Sequence, residues 1–116
     1  MRTYMSKEGK FAVTIVKSAG ETDNMLTLLK INAEAGGGNN KHVHYELTET
    51  FKVTKGEISV RNGDGFINLK AGGVHSVSPG VAHHFINRSN ESAEFLVVIM
   101  PGSIEFENEV MSGADL

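Results

Sequence analysis

The sequence predicts an all-β sandwich or barrel. Short segments in which apolar and polar residues alternate recur along most of the chain, the pattern of half-buried strands. Turn-forming Gly, Asn and Asp separate them, and nine of the thirteen glycines fall between Gly36 and Gly80. The middle of the chain has no convincing 3.6-residue apolar periodicity, so a helical core is excluded there. Many short strands at this spacing are what such all-β architectures need.

The elements follow in order. Phe11 to Val16 sets Val13 and Ile15 on one face, and Met25 to Asn32 is a longer apolar segment. Lys41 to Tyr45 reads as a strand with two histidines at alternate positions. Glu49 to Thr54 places Glu49, Phe51 and Val53 on one face. Glu57 to Arg61 alternates cleanly, and Asn62-Gly63-Asp64-Gly65 is a strong hairpin signal before Phe66 to Leu69. Lys70-Ala71-Gly72-Gly73 turns again, and Val74 to Val77, His83 to Asn87 and Glu94 to Met100 complete the set. From Gly102 to Leu116 the chain reads as a tail or arm, in which Glu105 to Met111 forms either a turn of helix or an extended arm.

Length and composition narrow the function. At 116 residues, 40% hydrophobic and 22% charged, one globular domain over residues 1–116 is expected, with little room for a lid. The net charge of −3 argues against nucleic acid or an anionic membrane as partner, since both need a basic footprint. Without cysteine there is no disulfide, thiolate metal site or cysteine nucleophile. The first residues lack the apolar run of a signal peptide and no stretch is long enough to span a bilayer, so a cytoplasmic protein is expected. A phosphate-binding Gly-x4-Gly-Lys-Ser/Thr loop, a dinucleotide fingerprint and a Gly-x-Ser-x-Gly nucleophile turn are all missing.

The chemistry lies in the histidines. On a strand His42 and His44 face one side, so two imidazoles can converge on one cation. A bend after Tyr45 can bring the Glu49 carboxylate alongside, and His83 can join from a later strand. Three imidazoles and a carboxylate suit one divalent first-row ion: Mn, Fe, Co, Ni, Cu or Zn. Open coordination positions would then serve catalysis. Glu49 either ligates, stands behind the ligands as a proton acceptor, or moves between the two, and is the candidate general base. His84, next to His83, should point the other way. The face of His75 is undecided, and Asn87 should satisfy turn backbone. Phe51, Phe85 and Ile58 read as core. Pocket shape is expected to come from Met25, Leu26, Phe51, Phe85 and Val97, with Tyr45 and Glu46 near the rim.

The segment Gly36-x5-His42-x-His44-x4-Glu49-x6-Gly56 resembles the first motif of the cupin superfamily, with every named position filled. Gly72-x5-Ser78-x-Gly80-x2-His83-x3-Asn87 resembles the second, except that Ser78 stands where that motif usually has Pro. The resemblance implies a cupin jelly-roll β-barrel with His42, His44, Glu49 and His83 holding a divalent metal in its mouth. It also implies a homodimer, whose N-terminal strands are expected to pair with or cover a neighbour's sheet edge. Two function classes follow. One is a metal-dependent enzyme acting on a small organic acid, phenol, diketone or sugar, dioxygenase-like in preference to isomerase or decarboxylase. The other is a non-enzymatic small-molecule binding or sensor module.

Overall fold

A computed structural model describes residues 2–113; Met1 and residues 114–116 of the expected domain lie outside the described residues. Among the described residues nine strands and one α-helix follow one another: β1 (Arg2–Met5), β2 (Phe11–Lys17), β3 (Thr27–Ala33), β4 (Thr48–Lys55), β5 (Glu57–Asn62), β6 (Gly65–Lys70), β7 (Val74–Val77), β8 (His83–Ile86), β9 (Ala93–Met100) and α1 (Ile104–Met111). A short 3₁₀ turn at Gly20–Thr22 joins β2 to β3. The strands form a six-stranded sheet, β1-β2-β3-β9-β4-β7, and a three-stranded sheet, β6-β5-β8. Every pairing is antiparallel. The all-β jelly-roll barrel is therefore present.

Alternation builds the core. Ala93, Phe95, Val97 and Ile99 of β9 point inward, facing the same way as Leu29 and Ile31 of β3 and Phe51 and Val53 of β4. Ile58 and Val60 of β5 and Phe85 of β8 supply the opposing wall. The two sheets meet through aromatic rings. Phe85 contacts Phe95 at 5.1 Å and Phe11 at 5.2 Å, both edge-on. Phe51, Phe85 and Ile58 are plain core residues, as expected.

Three expectations need correction. Lys41 to Tyr45 is not a strand: only His42 makes a bridge, to His83. The Gly36–Asn40 loop brings this segment alongside β8, and the contact is too short for a ladder. The first residues, read as no strand in the element order, form β1, an edge strand paired with β2. Its residues are mostly exposed, so no apolar alternation advertised it. Met25 lies outside β3 and is 68% exposed, so it cannot shape an interior pocket.

The tail is a helix. Ser103 caps it, its hydroxyl accepting from the Phe106 N–H at 3.1 Å. Phe106 and Val110 pack into the core. The buried Glu107 carboxylate accepts from the Ala19 N–H at 2.8 Å and the Thr27 hydroxyl at 2.6 Å, which pins α1 to the start of β3. Gly102 lies so close to Ala19 that an added Cβ would sit 2.8 Å from the Ala19 Cβ. Among the described residues no helix is long and apolar enough to cross a membrane.

Candidate metal centre

Four side chains converge at one end of the barrel. His42 is held by reciprocal backbone bonds with His83, its N–H donating to the His83 carbonyl at 3.0 Å and its carbonyl accepting at 2.9 Å. This bridge depends on Gly38, where an added Cβ would sit 2.6 Å from the Phe85 carbonyl oxygen. The His44 carbonyl accepts from the Gly80 N–H at 2.7 Å; Gly80 has φ +84°, so a side chain there would be strained. Glu49 stands near the start of β4, between Val77 and Ile99, with 4% of its surface exposed. His83 opens β8 and is 2% exposed. His42, His44, Glu49 and His83 each offer a ligand atom, and all four atoms lie within 4.8 Å of one another. Their grouping matches the sequence expectation.

Hydrogen bonding selects which ring nitrogens face the centre. The Nδ1 of His42 lies 2.8 Å from the Asn40 carbonyl, so it carries the proton and leaves the Nε2 lone pair free. That Nε2 is buried without a hydrogen-bond partner, and so is the Nε2 of His44. Buried polar atoms are rarely left unpaired. Two orphaned lone pairs beside a carboxylate are the donor set of a divalent cation, and the residues fit one. The Nδ1 of His83 donates to the Val81 carbonyl at 2.9 Å, while its Nε2 is 3.2 Å from Glu49 Oε1. His44 Nε2 is 3.6 Å from the same oxygen.

Electrostatics follow from this packing. Burial holds His42 and His44 below the usual histidine range, outweighing the pull of Glu49. At His83 burial also disfavours the cation, but the Glu49 hydrogen bond and charge, with the Val81 carbonyl, together raise its pKa. His83 Nε2 and Glu49 Oε1 face each other where a cation would sit, and the raised pKa of His83 favours a proton between them in the metal-free chain. Metal uptake should release that proton. Affinity is expected to climb with pH through the neutral range, and to fall further below pH 6.5, the ordinary histidine value. Calorimetric metal titrations at pH 7 in buffers of unequal ionisation enthalpy should give unequal apparent enthalpies; equal enthalpies would contradict proton release.

Beside the centre lies an open cavity of about 390 Å³, lined by His44, Tyr45, Glu46, Leu47 and, from α1, Glu105, Phe106 and Glu109. The Phe106 ring packs 5.3 Å from that of His44. Tyr45 and Glu46 reach the rim as expected, but Phe51, Phe85 and Val97 are core and do not line it. The tail supplies the helix that walls one side of the cavity. Ser103 followed by Glu105, Glu107 and an apolar Ile104/Phe106/Val110 set was the available signal.

The remaining histidines lie outside the cluster. His75 pairs with Phe51 across β7 and β4, so it shares Phe51's face, and its Nε2 has no hydrogen-bond partner. His84 points out of the barrel, edge-on to Phe66. Asn87 is fully buried and ties loops together, donating to Ala33 and Glu91 carbonyls at 3.0 and 2.7 Å and accepting from Ser89.

Comparison with known proteins agrees with the fold. A structure from Klebsiella pneumoniae, described as an uncharacterized conserved protein with a double-stranded β-helix domain, is 27% identical, with TM-score 0.73 over 86% of this chain and 85% of that one. A predicted oxalate decarboxylase from Thermotoga maritima is 23% identical, with TM-score 0.75 over 78% and 80%. An RmlC-like cupin from Shewanella frigidimarina is 19% identical, with TM-score 0.74 over 89% and 86%. No curated protein matches. Residues 30–99, more than half of the chain, match the family described as Cupin domain, and the chain belongs to the cupin family.

Proposed function

We propose that His42, His44, Glu49 and His83 bind one divalent first-row transition ion, and that the chain is a metal-dependent enzyme acting on a small organic molecule. The observation that carries this reading is the pair of orphaned imidazole nitrogens, one on a cavity-lining residue, beside a buried carboxylate. A bound ion would polarise a substrate oxygen, or, if redox-active, support dioxygenase-type chemistry. Glu49 would ligate the ion and, on moving off it, serve as the proton acceptor of the site. Phe106 and the rest of α1 restrict water on one side. Elemental analysis of protein purified without chelator, then oxygen uptake and product analysis with diketones, phenols and sugars, test the proposal. Bound iron, manganese, nickel, cobalt or copper with turnover supports it. A metal-loaded protein that retains a ligand unchanged would make it a binding module.

The mouth narrows the substrate class. Glu46, Glu105 and Glu109 line the cavity and no lysine or arginine does, so it repels small dianions. Neutral or cationic substrates fit better than dicarboxylates. A Glu105→Gln/Glu109→Gln chain should bind oxalate about tenfold more tightly at low salt, with the gain shrinking as salt screens it. Unchanged oxalate affinity would contradict the repulsion.

A homodimer belongs to the same proposal. Leu28 and Val98 stand opposite each other on the outer face of the six-stranded sheet, with Leu96 and Met100 flanking on β9. The mass in solution should be that of two chains; a concentration-independent monomer would contradict it.

A further inference from the structure

The outer face of the three-stranded sheet carries charges that the metal centre does not use. Arg61 of β5 stands opposite both Phe66 of β6 and His84 of β8. Directly opposed residues share a face. This face is the outer one, because the alternate residues Val60 and Phe85 are buried in the core. Phe66 is 40% exposed. The Arg88 guanidinium lies 3.8 Å from the centre of its ring and the Arg61 guanidinium 5.5 Å. The His84 ring meets it edge-on at 5.6 Å. Arg61 donates through Nε to the Gly63 carbonyl at 2.9 Å, which steadies the side chain and leaves its two terminal nitrogens for a ligand. The Nδ1 of His84 is buried and has no hydrogen-bond partner. Lys41 contributes positive charge to the same neighbourhood.

Among the described residues no carboxylate pairs with either arginine. Among the described residues the ion pairs are Lys17 with Glu21, and Glu49 with His44 and His83. Asp64, in the turn of the same hairpin, pairs with neither arginine, and Glu57 stands opposite Lys70 at the far end of β5. A chain of net charge −3 thus gathers two guanidinium groups around one aromatic ring, with the His84 imidazole edge-on to that ring and the Lys41 charge acting on the imidazole. Like charges held together without a counter-ion repel one another, and an anion seated among them relieves the repulsion. Guanidinium forks match phosphate oxygens two at a time, and stacking on an aromatic ring pre-orients them. A phosphomonoester offers three oxygens, enough to engage both arginines at once.

We propose that Arg61, Arg88 and His84, arranged around Phe66 on the outer face of the three-stranded sheet, form a binding site for a phosphomonoester group. The site is separate from the cavity beside the metal centre, whose lining includes none of these residues. Its ligand is either a soluble phosphorylated metabolite or a phosphate-bearing lipid headgroup, and the test distinguishes them.

The full chain, free of metal and in a buffer without phosphate, is titrated with inorganic phosphate and with glycerol 3-phosphate while backbone amide resonances are followed. Sedimentation with phosphatidylcholine vesicles containing phosphatidic acid forms the second arm. The expected result is saturable shifts centred on residues 61, 66, 84 and 88 that sodium chloride of equal ionic strength does not reproduce. R61Q/R88Q should lose at least tenfold in affinity while keeping its melting temperature and, in a separate titration, its affinity for zinc(II). Arg88 is exposed and Arg61 half-buried, so R88Q alone, with a smaller loss, serves if the double variant folds poorly. Binding to vesicles alone would assign the lipid headgroup; binding of the soluble phosphates would assign the metabolite. Equal affinity in R61Q/R88Q, or no binding of either soluble probe or vesicle, would overturn the proposal.

Discussion

A His42→Ala/His44→Ala chain should lose divalent-metal affinity by on the order of a hundredfold or more while remaining folded. Changing residues behind metal ligands already costs about 10–100-fold, and these two side chains present the donor atoms themselves. Both Nε2 atoms are buried and unpaired, and the one hydrogen bond lost, from His42 Nδ1 to the Asn40 carbonyl, lies at an exposed residue where water replaces it. The backbone bridge between His42 and His83 uses main-chain atoms and should survive. Ligand binding raises stability by mass action, so cobalt(II) or zinc(II) should raise the melting temperature of the parent chain and leave the variant unmoved. An equal rise in both would show that the ion binds elsewhere.

Phe85→Ala should destabilise the fold by about 3–5 kcal/mol, a large share of the roughly 5–15 kcal/mol available to a domain. Phe85 is 1% exposed and joins the two sheets, touching Phe95 of the larger sheet and Phe11 of β2 edge-on. It also lies two residues from His83 on β8, so a cavity at Phe85 loosens the strand that carries a candidate ligand. Urea unfolding should show a lower midpoint, and metal affinity should fall even though no ligand atom has been changed. A midpoint close to that of the parent chain would mean that the sheets are held together elsewhere.

The residues that speak most clearly in the sequence are those whose role is local. Alternation in Glu49 to Thr54 and Glu57 to Arg61 predicts β4 and β5, because a period of two is a property of the strand itself. The convergence of His42, His44, Glu49 and His83 is readable for a different reason: the glycine spacing carries the turns that bring them together. Where tertiary contact decides, the sequence says less. Lys41 to Tyr45 alternates like a strand, yet only His42 meets a partner, and no local rule reports that. β1, an edge strand of four residues, turns only Tyr4 toward the core and leaves the rest exposed, too short a run to show alternation. The tail's placement over His44 depends on Glu107 reaching Ala19 and Thr27, more than 75 residues away, so the wall of the mouth was hidden even though the cap at Ser103 was visible. Phe51, Phe85 and Val97 were expected at the pocket because they share faces with the site, but inward-facing residues deeper in a barrel pack against each other.

X-ray absorption on the chain loaded with zinc(II) or cobalt(II) and dialysed tests the metal centre most directly. The expected spectrum is that of a single ion per chain in an all-nitrogen-and-oxygen shell at about 2.0–2.1 Å, with outer-shell scattering from three imidazoles. A chain that retains no ion after dialysis, or an ion whose spectrum lacks imidazole scattering, would contradict a centre built from His42, His44, Glu49 and His83.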